Sequence, residues 1–428
     1  MRNISVRRKS FLYGIIFIII CSLFFMRDVI GLSVPLVMFI MVFVIGFCFL
    51  DFNYMVALTT IMPLLNHGVQ TNYIIIIAIV IYFIKYGFHI KISKIHMTIF
   101  ILLVFEFFHM GYEPFSITEY FRYFVQYFYI ALILGDEELS LKMNKPHIII
   151  DTFIYMTLYF MCDVFFVTLK YTSFSELFSN GIRFGRLASD VPALFDNENM
   201  VALFALISLS LCFLMIYSRF SPIKYGIFAT IFLFFGLLTS SKTFLLCLIA
   251  LIVYYTICIG KSEGLKNICV LALIGIITFI VLRNTIIWNE VQRVMLRFEA
   301  ADITTGRAGL ITQYNSYIST NFLTFIWGVG VQDISRKTGI RLSPHNAIQE
   351  IIVCWGIIGL LLVLSLIVEL FHKTKRDCQY SEGAIYYASV IVFLLFIQTI
   401  QFVSNSAIFG LLLILFLSVH ICRVNKGE

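Results

Sequence analysis

The sequence predicts an all-α, polytopic integral membrane protein of about 12–14 spanning helices, each needing roughly 20 apolar residues. Three observations carry this. Of its 428 residues, 60% are hydrophobic and 13% charged, against about 45–50% and about 25% in soluble globular chains. The apolar residues fall in runs long enough for spanning helices, and too long and continuous for the strands of a membrane β-barrel. Basic residues also sort strongly between the segments joining those runs. A soluble fold of this size could not hide so much apolar surface. This balance excludes a disordered chain, a nucleic-acid-binding domain and an ordinary cytosolic enzyme.

Taken in order, the chain opens with Arg7, Arg8 and Lys9 and a first apolar run at 11–26. No small-x-small cleavage site follows, so the run is read as an uncleaved first span. Further spans fall near 29–50, 52–66, 72–88, 97–112, 117–134 and 148–169. A second set lies near 198–217, 223–239, 243–259, 266–283, 346–371, 384–401 and 405–422. The segment 52–66 is the shortest and can equally be re-entrant. The ten cysteines show no C-x-x-C or metal-type spacing, and most read as small apolar packing residues.

Basic residues set the orientation. With the N-terminus inside, the cytoplasmic segments hold 18 Lys and Arg, and the short external turns hold two, Arg27 and Lys242. Both termini come out cytoplasmic. The chain 1–428 is then a single polytopic domain with two long external segments, 170–197 and 284–345. Neither has the Ser/Gly/Pro bias of a flexible linker. No repeat of fixed period relates the two halves, whereas transporters commonly carry internal repeats.

The external segment 284–345 holds the most suggestive polar residues. After Thr304-Thr305-Gly306-Arg307, residues Leu310, Ile311, Tyr314, Tyr317 and Ile318 recur at the spacing of an amphipathic helix. Thr304 or Thr305 would cap it and place Arg307 in its first turn. The segment ends in Ser343-Pro344-His345-Asn346. Ser then Pro reads as N-cap and N1, which puts His345 in the first turn of the next span. Lys242, in Ser240-Ser241-Lys242-Thr243, has the same placement at another external helix start. Free N–H groups and the helix dipole favour anions at such ends. Arg307 and Lys242 would add full charges suited to a diphosphate. The same positive end would keep His345 neutral, as a general base requires. A passive hydrogen-bonding role for His345 and an interfacial anchoring role for Lys242 stay open on spacing alone.

Elsewhere, Arg183, Arg186, Asp196, Asn197 and Asn199 precede the span at 198–217, where a solvated loop capped by Asn197 is the plain reading. Glu106, Arg122, Asp151, Asp163 and Glu369 are ionisable residues within spans, which default to functional hypotheses. Glu119 and Arg122 stand at i,i+3, so a structural ion pair competes with a substrate contact. No G-x-S-x-G, H-E-x-x-H or clustered metal-type motif is present.

Ser241-Lys242, Gly306-Arg307, Gly328-Val329-Gly330 and His345-Asn346 occur in an order that resembles the O-antigen ligase and O-antigen polymerase family. The stretch from His345 through Trp355-Gly356-Ile357-Ile358-Gly359-Leu360 is similar to its His-Asn…Gly-x-x-Gly-Leu signature. Arg186…Phe195-Asp196-Asn197-Glu198-Asn199 looks like the family's Arg…Phe-x-x-x-Asn stretch. The strong likeness covers roughly 240–365. Two departures stand out. Lys242 stands where the family has Arg, and Cys354 where it often has an acidic residue.

The resemblance implies a GT-C-like enzyme of the bacterial cytoplasmic membrane, acting outside on undecaprenyl-diphosphate-linked glycans. His345 would be catalytic; Arg307, Lys242, Arg186, Asn346 and Arg122 would bind diphosphate or substrate. No cofactor, metal or nucleotide sugar is implied, because the lipid diphosphate is the leaving group. The expected partners are that lipid-linked glycan, membrane lipid and other polysaccharide-assembly proteins, with no nucleic acid. The expected reaction is polymerisation of surface-polysaccharide repeat units, O-antigen or capsule. Ligase-type transfer to a lipid or protein acceptor is the alternative, and a polysaccharide-lipid flippase ranks third. Topology is directly testable on a cysteine-free background. In intact spheroplasts an impermeant thiol reagent should label R336C and spare D377C; the reverse pattern would overturn the orientation.

Overall fold

A helix that is apolar on every face is at home only in an interior, and Glu198–Tyr217 is such a helix. From Met200 to Leu211 every residue is buried, including Ser208 and Ser210. The computed structural model describes residues 2–60, 71–87, 89–109, 116–136, 138–173, 184–185, 198–263, 288, 292, 295–296, 307–377, 380–400 and 407–419. It is 83% helical, with no strand among the described residues.

The helices are α1 (Arg2–Phe25, continued by a π turn Met26–Ile30), α2 (Leu36–Phe49), α3 (Phe52–Thr60), α4 (Thr71–Tyr86), α5 (Lys94–Phe108) and α6 (Ile117–Leu134). Then come α7 (Leu139–Lys142), α8 (His147–Tyr171), α9 (Glu198–Tyr217), α10 (Pro222–Leu238) and α11 (Lys242–Glu263). The remainder are α12 (Arg307–Thr320), α13 (Phe322–Ile326), α14 (Ile334–Thr338), α15 (Ala347–Asp377), α16 (Tyr380–Phe396) and α17 (Ala407–Ser418). The core is built around α9, which packs on α8, α10, α11 and α16.

Among the described residues, four stretches are long and apolar enough to cross a membrane: Arg8–Ile30, His147–Tyr171, Glu198–Tyr217 and Ala347–Glu369. Several expected spans are shorter as helices. The run 29–50 is interrupted, because Gly31 takes φ +87° and Pro35 precedes a fresh start at Leu36. The run 52–66 is helical only over Phe52–Thr60, and 266–283 lies outside the described residues.

Among the described residues, the segments 1–10, 85–96 and 135–147 and the turn at 50–53, all read as cytoplasmic, are tied to one another, and Lys224 is tied to Asp151. Lys9 pairs with Asp51 at 2.6 Å, Asn53 Nδ2 donates to Asn144 Oδ1 at 2.9 Å, and Lys224 pairs with Asp151 at 2.7 Å. Lys85 Nζ donates to the Leu50 carbonyl at 2.6 Å, and the Lys91 amide to the Gly135 carbonyl at 2.8 Å.

Farther along the chain, α15 breaks. Gly356 takes φ +63° and ψ −168° inside an otherwise helical run, a conformation open to glycine and strained for other residues. In an unbroken helix the carbonyls of Val353 and Cys354 would accept from the amides four residues on. Instead the amides of Val329 and Gly330 donate to them, each at 2.8 Å. This close approach forbids side chains: a Cβ on Gly328 would strike the Cys354 carbonyl, and one on Gly356 the Ile326 carbonyl. Gly356→Ala should therefore cost at least about 1–3 kcal/mol from backbone strain alone, read as a lower unfolding midpoint in detergent. Gly309→Ala, with nothing within 4 Å of the added methyl, should leave the midpoint unchanged.

Candidate functional site

α15 starts at Ala347, and its N-cap is Asn346. Asn346 Oδ1 accepts the Gln349 amide at 3.0 Å, and its carbonyl accepts the Glu350 amide at 2.8 Å. This corrects the expected cap at Ser343 with Pro344 at N1. His345 lies one residue before the N-cap, not in the first turn. The physical reason is reach: the Asn346 side chain meets the N3 amide, the usual partner of a cap. The Asn346 Nδ2 also approaches the Gln398 carbonyl at 3.5 Å.

α12 is held against this helix start. Gln349 Nε2 donates to the Ile311 carbonyl at 2.9 Å and to Asn315 Oδ1 at 2.8 Å. Tyr314, fully buried, donates its hydroxyl to the Leu342 carbonyl at 2.7 Å. Leu310 and Tyr314 are buried while Ile311 is exposed, so the amphipathic face is narrower than its spacing suggested. The docking brings Arg307, the first described residue of α12, into the field of half-buried His345. Burial lowers the His345 pKa, and the Arg307 guanidinium lowers it further. Both effects disfavour the imidazolium. Thr304 and Thr305, the expected caps, lie outside the described residues.

Lys242 is the first residue of α11, as expected, and Ser241 precedes it as the cap, accepting the Phe244 amide at 3.4 Å. Ser241 Oγ also donates to Asn199 Oδ1 at 3.2 Å, tying the starts of α9 and α11 together. α11 packs on α9, α10 and α16, and α16 in turn on α15. Arg122 forms the i,i+3 pair with Glu119 at 3.6 Å, with both side chains partly exposed. Arg186, Asp196 and Asn197 fall outside the described residues. Of the candidate residues, then, Arg307, His345 and Asn346 are brought together, while Lys242 and Arg122 are placed on other elements.

Two features of this end were not readable from motifs. One is a buried cluster below residues 327–331. Glu106 of α5 accepts the Val331 amide at 3.0 Å and the Trp355 indole N–H at 2.7 Å. Nearby, His109 Nε2 lies 3.0 Å from the Trp327 carbonyl, and Lys337 Nζ donates to the Val329 carbonyl at 2.9 Å. Burial pulls the Lys337 ammonium pKa down, while the Glu106 charge acts the other way. The other feature is an apolar groove of about 290 Å³ along α15. It runs from Ala347 and Ile348 to Ile367, walled by α5, α6, α16 and α17. Gln398 is among its few polar lining residues.

No protein-family model matches the chain, and no match is found among curated proteins. The chemistry must be argued from the site alone. If Arg307 helps to keep the His345 ring neutral, Arg307→Gln should raise the ring's pKa back towards about 6.5. The sign follows from losing a like charge. A histidine-selective NMR titration, with His345→Gln identifying the resonance, checks it.

Proposed function

We propose that this chain is a membrane glycosyltransferase that polymerises surface-polysaccharide repeat units from an undecaprenyl-diphosphate-linked donor. The observation that carries the reading is the place of His345, two residues from the start of the apolar groove and in the field of Arg307, where burial and that charge both disfavour its imidazolium. Residues on both sides of the α15 break line that groove, from Ala347 to Ile367. Its apolar walls suit part of a prenyl chain, whose diphosphate would then sit at the Arg307 end.

In this reading His345 accepts the proton of the attacking sugar hydroxyl. The hydroxyl oxygen bonds to the donor's anomeric carbon as the bond from that carbon to the diphosphate oxygen breaks. Arg307 stabilises the charge growing on the leaving diphosphate, and its planar fork suits two oxygens at once. Lys242 adds a second cation at a capped helix start, and Asn346 orients the start of α15 beneath His345. The architecture is GT-C-like with about 12–14 spans, both termini cytoplasmic and the site external, in the bacterial cytoplasmic membrane.

Purified protein with a synthetic lipid-diphosphate donor tests this. His345→Gln can hydrogen-bond but not act as a base, so turnover should fall about 100–10,000-fold while donor still binds. Arg307→Ala should lose about 100–1000-fold, with Arg307→Lys recovering only part. Wild-type turnover in His345→Gln would end the base assignment. In cells, a deletion strain accumulating single external repeat units supports polymerisation. Long unligated chains would instead indicate a ligase, and units trapped inside a flippase.

A further inference from the structure

Glu106 is 2% exposed, and a carboxylate is buried so deeply only where specific donors compensate its lost hydration. Its donors come from two segments more than 200 residues away. Val331 N–H lies 3.0 and 3.3 Å from the two oxygens, and the Trp355 indole N–H lies 2.7 Å from Oε2. Val331 directly follows Val329 and Gly330, whose amides satisfy the carbonyls freed at the α15 break. Trp355 directly precedes Gly356, where the break occurs. Glu106 therefore grips both sides of one junction. Beyond it lie nine residues of α15, Ala347 to Trp355, leading back to Asn346 and His345.

We propose that Glu106 is a positioning residue of the transfer site: its carboxylate locks residues 327–331 to Trp355 and so fixes the outer segment of α15 that presents His345 to Arg307. The role in transfer rests on the function proposed above; the geometric role does not. Glutamine replaces it only in part. An amide oxygen in the place of Oε2 can accept the indole N–H, but it meets the Val331 amide only at the longer 3.3 Å, and an NH2 then stands where Oε1 accepts that amide at 3.0 Å.

The test uses full-length protein in detergent or nanodiscs. Glu106→Gln should lower turnover about 100-fold, the scale of a small misplacement of reacting groups. Donor affinity should stay within about threefold, because ground-state contacts to the diphosphate are intact. The Trp355 indole N–H resonance, assigned by its loss in Trp355→Phe, should move on losing its carboxylate acceptor. The His345 titration should shift towards the ordinary histidine value as Arg307 and His345 separate. Trp355→Phe keeps the Val331 bond and should change turnover and the His345 titration in the same direction, in smaller measure.

An unchanged His345 titration and unchanged turnover in Glu106→Gln, with the Trp355 resonance moved, would sink the proposal. Should Glu106→Gln fail to fold, the same unchanged pair in Trp355→Phe overturns it. Equal loss of donor binding and turnover would make Glu106 a general structural residue. A wild-type protein with no transferase turnover ends the functional reading instead, and the His345 titration still decides the geometric role.

Discussion

Two carbonyl groups govern the end of this molecule at which His345 lies. Where α15 breaks at Gly356, the oxygens of Val353 and Cys354 lose their helical partners, and Val329 and Gly330 replace them. In a low-dielectric interior an unpaired backbone group costs several kcal/mol, so irregular backbone persists only where another segment satisfies it. The break and the 327–331 segment are thus one object, and neither is stable without the other. Everything placed near His345 follows from it. The outer segment of α15 takes its direction from the break, its start is capped by Asn346, and α12 settles on it through Gln349 and Tyr314.

Glycine makes this junction possible in two different ways. Gly356 supplies a backbone conformation that other residues resist, and Gly328 supplies absence, leaving room for the Cys354 carbonyl. Gly356, against the Ile326 carbonyl, and Gly328, against the Cys354 carbonyl, are two halves of one packing contact. The chemistry, by contrast, is left to side chains at its margin.

How much of this was legible in the sequence depends on the range of the interaction concerned. The helices 117–134 and 198–217 have the bounds that hydropathy gave them, because apolar continuity is a local property. The interruption at Gly31 to Pro35 was also local, but hydropathy averages over it, since both flanks are apolar. At His345 the Ser-Pro pair pointed to Ser343 as the cap, and only the course of the backbone shows that Asn346 reaches the N3 amide instead. Glu106 was visible as an intramembrane carboxylate, yet its partners stand 225 and 249 residues away. No periodicity records such a pairing. The proximity of Arg307 and His345 falls between these cases. Each was placed at a helix start by its own neighbours, whereas their meeting depends on the Gln349 bonds to α12.

The burial of α9 sets a schedule for assembly. Its Ser210 hydroxyl donates to Ser389 on α16, 179 residues later in the chain. At a synthesis rate of about 5–20 residues per second, roughly ten to thirty-five seconds separate the two. During that interval α9 is already made while one wall of its enclosure does not exist, so lipid or a membrane chaperone must occupy the vacant side. Closure of the bundle is therefore a late event in biogenesis. A ribosome stalled before α16 would leave the most buried of the four long apolar helices without one of its neighbours.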